Sequence, residues 1–183
     1  MTSPTSTWTI YESPLGPLTL AAGPLGLTDL RFPGKLRLPD ETSKSQMPEV
    51  TEQLDGYFAG VLQKFDLPLD LHGTPMQLAI WRELLAIPYG TTVSYGELGA
   101  RIDPSLFHTQ VEPWQRARAV GGANGRNPVA VIVPCHRVIG ADGSLTGYGG
   151  GLQRKQALLD FERRTVEGSG RPSNWADRQL VLV

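Results

Sequence analysis

Apolar and polar positions come in short extended runs at the start of the chain and change to helical spacing after residue 47. Trp8–Glu12, Leu18–Ala22 and Leu27–Phe32 are separated by Ser13-Pro-Leu-Gly-Pro17 and Gly23-Pro-Leu-Gly26, and the Gly and Pro residues punctuate the runs as turns. This pattern predicts a β-meander. Pro33–Met47 reads as a polar loop, and Leu54, Tyr57, Phe58, Val61 and Leu62 then recur on one helix face. Phe65–Leu71 predicts a further strand. Residues 1–71 are thus expected to form a small α+β unit, with His72-Gly73 as the link to the rest.

The remainder is helical, with marked starts. Thr74-Pro-Met-Gln77 is a capping box with proline at the first helical position, followed by Ile80, Trp81, Leu84 and Leu85 as a buried stripe. Ser94-Tyr-Gly-Glu97 is a second capping box ahead of Leu98 and Ile102, and Pro113 opens a third helix carrying Trp114, Arg118 and Val120. Two short helices joined by a turn, ahead of an arginine-bearing one, resemble a helix-turn-helix. The fold class expected is α+β.

Composition places the chain among ordinary globular proteins, with 40% hydrophobic and 19% charged residues. A single cysteine excludes an internal disulfide and a multi-cysteine zinc site. No signal peptide, membrane span, metal or cofactor is expected, and the reading is cytoplasmic. The net charge of −1 hides a split: residues 1–70 carry five bases and nine acids, residues 101–171 ten bases and six acids. Nine of those ten bases are arginine, which suits phosphate and base contacts.

That one cysteine, Cys135, lies between Pro134 and the pair His136 and Arg137. A lone cysteine often serves as a small buried hydrophobe. Here the apolar run Val129–Val133 carries the chain into an interior and delivers the thiol beside a titratable ring, the setting a nucleophilic thiolate needs.

The runs Gly121-Gly-Ala-Asn-Gly-Arg-Asn-Pro128, Val131-Ile-Val-Pro-Cys-His-Arg-Val138, Leu145-Thr-Gly-Tyr-Gly-Gly-Gly-Leu152 and Ile87-Pro-Tyr-Gly-Thr-Thr-Val-Ser-Tyr95 resemble the O6-alkylguanine-DNA alkyltransferases, over about residues 8–165. The resemblance implies an RNase H-like N-terminal domain (1–71), a DNA-binding and active-site domain (72–165) and a C-terminal tail (166–183). It implies binding to duplex DNA carrying O6-alkylguanine, flipping of the damaged base and a suicide transfer of its alkyl group to cysteine. By the same resemblance Cys135 is the nucleophile, His136 the base acting through a water, and Glu162 the carboxylate that orients it. Tyr95 is the hydroxyl donor as negative charge builds, and Asn127 braces the turn. Val138, Tyr148, Gly149 and Lys155 surround the base. Arg118 is the finger that fills the gap, with Ala119, Gly121 and Gly122 permitting close approach to the minor groove.

The chain departs from the family between Tyr95 and Arg118, where Asp103–Gln115 is longer than usual and apolar at Phe107, Val111 and Trp114. The surplus makes Arg116 a rival finger. With two acids and no base, the segment is expected to fold away from phosphates, its apolar residues packing on the protein itself or on a second copy, so self-association on DNA is a further expectation. The sequence leaves two other functions to weigh. A lesion sensor of the same family would lack the cysteine, and a cysteine hydrolase using Cys135, His136 and Glu162 would leave the arginine-rich half without a purpose.

Overall fold

The computed structural model describes residues 6–33, 43–107 and 111–168. Most of the polar loop (34–42), His108, and the tail from residue 169 lie outside the described residues. The turns read in the sequence separate three antiparallel strands, β1 (Thr7–Ser13), β2 (Gly16–Gly23) and β3 (Gly26–Arg31). A two-residue β4 (Ser43–Lys44) lies parallel to β1, giving the order β3-β2-β1-β4. Alternation along β2 buries Leu18 and Leu20 in the same core as Leu54, Tyr57 and Phe58 of α1 (Pro48–Phe58).

Two details differ from the pattern reading. α1 ends before Val61, which is 80% exposed; Gly60 at φ 78° turns the chain away. Phe65, Leu67, Leu69 and Leu71 do alternate onto the core, but they form only one bridge, Leu27 with Leu69, and no strand. Pro68 has no amide to donate, so a ladder cannot extend through it.

The helical half contains α2 (Pro75–Leu85), α3 (Tyr95–Arg101), α4 (Pro113–Asn124) and α5 (Leu152–Val166). Both predicted capping boxes are present, Thr74 with Gln77 and Ser94 with Glu97. α3 and α4 meet where a Cβ on Gly99 would come within 3.0 Å of the Arg116 Cβ, so any larger residue would push the helices apart by a few tenths of an ångström. The Trp81 indole of α2 donates to the Ala123 carbonyl of α4 at 3.1 Å. Leu85, expected in the buried stripe, is instead 45% exposed. Short parallel strands β5 (Val93–Ser94) and β6 (Val138–Ile139) tie the start of α3 to the chain just after Cys135.

The two halves join beside the cysteine. Leu30 of β3 exchanges backbone hydrogen bonds with Pro128 and Ala130, and α5 reaches back through Arg154, whose Nε donates to the Leu15 carbonyl at 2.9 Å. The architecture is α+β. Among the described residues no helix is long and apolar enough to cross a membrane.

Candidate active site

Val129, Val131, Ile132 and Val133 are buried as expected and Ala130 is half-buried, but the run turns rather than continuing straight. Val131 sits at φ 70°, a left-handed conformation that costs a β-branched residue about 1–3 kcal/mol. Surrounding packing holds it there, because Val129, Val131 and Val133 are fully buried. Asn127 braces this turn. Its Oδ1 accepts from the Val129 amide at 3.0 Å, and its Nδ2 donates to the Val133 carbonyl at 2.7 Å and to the Cys135 Sγ at 3.0 Å.

Cys135, His136 and Arg137 form one tight helical turn, all buried. Burial pushes the Cys135 thiol up to about 11, against smaller opposing effects of the Asn127 hydrogen bond and the Lys155 charge. The thiol is therefore protonated at neutral pH, not the lowered thiolate that the neighbouring pair suggests. A thiol in that state reacts as a nucleophile only where a base takes its proton.

A polar cluster beside the thiol is built around Glu162, which α5 projects into the interior with no exposure at all. Glu162 Oε1 accepts from Tyr57 Oη at 2.8 Å, from Arg137 Nη2 at 2.9 Å and from His136 Nε2 at 2.9 Å. Oε2 accepts from Arg137 Nε at 2.9 Å and from the Gly90 amide at 3.0 Å. Burial alone would raise this carboxyl, but His136 and Arg137 outweigh it and hold Glu162 well below the usual carboxylate range. Burial lowers the His136 ring from its ordinary value of 6.5 despite the carboxylate. The consistent state is ionised Glu162, its charge met by the two-pronged Arg137 guanidinium, and a neutral imidazole donating from Nε2. That tautomer puts the lone pair on Nδ1, which is buried and has no hydrogen-bond partner among the described residues.

A neutral buried His136 makes stability depend on pH. Below about 6.5 the unfolded chain binds a proton at His136 that the folded chain refuses, so stability falls as pH falls; ionised Glu162 adds the same sign at lower pH. The denaturant midpoint should drop between about pH 7 and about pH 5, and should drop less in His136→Gln. An equal drop in both would mean that His136 is not held neutral.

Above the thiol lies a cavity of about 30 Å³ walled by Cys135, Asn127, Ala130, Phe32 and Tyr148 with Gly149 and Gly150. As it stands it has room for a water, and the walls must part to admit anything as large as a base. Phe32 meets the Tyr148 ring edge-on at 6.5 Å, and a Cβ on Gly150 would come within 2.6 Å of Phe32. Lys155 is fully buried, its Nζ donating to the carbonyls of Val138 and of Thr146 at 2.8 Å. Tyr95 Oη also donates to Thr146, at 2.9 Å. Tyr95 and Lys155 thus brace one loop from two sides.

On α4, Arg118 is exposed while Arg116 is half-buried, with its guanidinium 5.0 Å from the Phe107 ring centre. Phe107 packs on the core as expected for the insertion, but Trp114 is 61% exposed. Ala119, Gly121 and Gly122 are half-buried on the same helix, Gly121 lying against the Tyr95 ring.

Comparison with known proteins decides the family. Residues 7–71 match the ribonuclease-like domain of 6-O-methylguanine DNA methyltransferase, and residues 75–164 match its DNA binding domain. The chain belongs to this family. It is 50% identical over 156 residues to the methylated-DNA–protein-cysteine methyltransferase of Mycobacterium tuberculosis, covering 83% of this chain and 89% of the relative. The Methanosarcina acetivorans protein of the same name is 44% identical over 160 residues, 85% of this chain and 97% of the relative. Among solved structures, Mycobacterium tuberculosis OGT in complex with DNA superposes with a TM-score of 0.76 at 46% identity, covering 87% of this chain and 94% of that one.

The sequence-predicted residues Cys135, His136, Glu162 and Asn127 come together in this site, with Tyr148, Gly149, Val138, Lys155 and Tyr95 around it. Sequence reasoning misses two partners of Glu162. Along the chain Arg137 reads only as a charge near the thiol, and Tyr57 only as a member of an apolar face, yet both hydrogen-bond the carboxylate.

Proposed function

We propose that this protein repairs duplex DNA directly, moving an alkyl group from guanine O6 to Cys135 in a reaction each molecule performs once. The observation that carries this reading is the buried thiol followed at once by a buried histidine that meets a buried carboxylate at 2.9 Å, in a chain that matches the family over both halves. In the reaction the S–H proton passes to His136 Nδ1, through a water in the reading the family suggests. The new cation is stabilised by Glu162, the S–C bond forms as the C–O bond breaks, and the departing guanine takes a proton in turn. Tyr95 supplies a donor where charge builds once its hydroxyl turns from Thr146. The carbonyls of Cys135 and Val138 and the amide of Gly149 read the base edge, and Tyr148 covers its face.

Arg118 enters the duplex as the finger, and Ala119, Gly121 and Gly122 let α4 approach the minor groove. Arg116 is engaged with Phe107, which favours Arg118. The chain divides into an N-terminal domain over 1–71, a DNA-binding and active-site domain over 72–165 and a tail over 166–183. A cytoplasmic location belongs to the same reading. Self-association on DNA would appear as cooperativity only on duplexes long enough for two copies.

His136→Ala is expected to slow transfer by about 10²-fold or more while leaving affinity for undamaged duplex unchanged. Equal loss of transfer and of DNA binding would show that His136 serves the structure rather than the chemistry.

A further inference from the structure

Trp114 is the large apolar side chain that α4 leaves exposed among the described residues. It is 61% exposed, whereas Phe107 from the same insertion packs on the core beneath Arg116. At that exposure more than half of a large, flat, apolar indole faces water, where it is free to lie on a partner surface. Its position on the helix is specific: Trp114 precedes Arg118 by four residues, so both project from one face, and both are exposed. Along the axis they are separated by about 6 Å, or about two base-pair steps of a duplex. The start of the helix is held in place by the Gln115 side chain, which accepts from the Glu112 amide at 2.7 Å.

Resting on the reading of α4 as the DNA face, we propose that Trp114 is a second DNA-contacting residue, laying its indole on the sugars and base edges of the minor groove next to the gap that Arg118 fills. Local charge selects that target over phosphate. Glu112 is exposed two residues before Trp114, and Asp103 is exposed at the other end of the insertion, with its carboxylate accepting from the Ser105 amide. Acids at that distance repel phosphates, whereas an uncharged ring is suited to unstacked bases and deoxyribose. The insertion thus adds an aromatic wedge beside the finger instead of folding wholly away from DNA.

The test uses the full chain as Trp114→Ala, Trp114→Phe and Arg118→Ala on a duplex carrying O6-methylguanine and too short for two copies. Reaction of Cys135 with free O6-methylguanine base, offered without DNA, reports the thiol's chemistry apart from duplex binding. Trp114→Ala should weaken short-duplex binding about tenfold, and Trp114→Phe should restore most of it. The salt dependence of binding should be unchanged, because no phosphate contact is lost, and reaction with the free base should keep its natural rate. Unchanged affinity for the short duplex overturns the proposal. So does a loss confined to cooperativity on long duplexes, which would assign Trp114 to contacts between copies. If Arg118→Ala also leaves affinity intact, the reading of α4 as the DNA face fails rather than the role of Trp114 alone.

Discussion

Glu162→Gln is expected to destabilise the protein by about 3–5 kcal/mol and, where the variant is still folded, to slow alkyl transfer by about 10²-fold or more. The carboxylate accepts from Tyr57, Arg137, His136 and the Gly90 amide, all on two oxygens with no solvent exposure. An amide keeps the shape but turns one acceptor into a donor and leaves the Arg137 guanidinium, 6% exposed, without its counter-charge. Most of the loss comes from stranding that cation away from water, because a buried pair broken on one side costs far more than the pair itself contributes. His136 loses the acceptor that fixes its Nε2 proton, so Nδ1 is no longer held as a lone pair and the cation formed during attack loses its stabiliser. Chemical denaturation gives the first effect and single-turnover transfer at a temperature below unfolding gives the second. Normal transfer by a destabilised Glu162→Gln would make the carboxylate purely structural.

Much of this site is legible along the chain because its chemistry is local. Pro134, Cys135, His136 and Arg137 are consecutive, Asn127 precedes a proline and stands eight residues before the thiol, and the capping boxes of α2 and α3 are short motifs whose hydrogen bonds close within four residues. Contacts between distant residues are less visible. Tyr57 is 105 positions from Glu162, and spacing shows it only as one more apolar residue on α1. Arg137 is adjacent to the thiol in sequence, yet its charge is spent on a carboxylate 25 positions away. Local reading therefore places that charge near sulfur, where the structure leaves burial dominant.

The fold shows the same limit. Alternation correctly puts Phe65, Leu67, Leu69 and Leu71 on the core, but periodicity does not report whether a neighbouring strand has free hydrogen-bonding groups, and only one bridge forms. The run Val129–Val133 looks extended by composition and is turned by tertiary contacts that hold Val131 at φ 70°. Arg116 and Arg118 lie two residues apart and cannot be ranked by type; the Phe107 ring separates them, and only the folded insertion brings it there.

Cys135→Ala is expected to abolish alkyl transfer completely while duplex binding persists. Cys135 is the one thiol in the chain, so no second thiol is available to accept the group. Its removal costs little else: the side chain is small, and the surrounding turn is held by Asn127 bonds to the Val129 amide and the Val133 carbonyl, which the substitution leaves intact. The stability loss should be about 1 kcal/mol, the scale of deleting one buried group. A residual methylated product in Cys135→Ala would point to another acceptor.

The most direct measurement is the intact mass of the protein after incubation with a duplex containing O6-methylguanine, followed by mapping of the modified peptide. Direct transfer predicts a gain of one methyl group per molecule, located on Cys135, with repaired guanine appearing in equal amount and no further repair after the protein is consumed. Repeated turnover without a mass change, or a methyl group on any other residue, would contradict it.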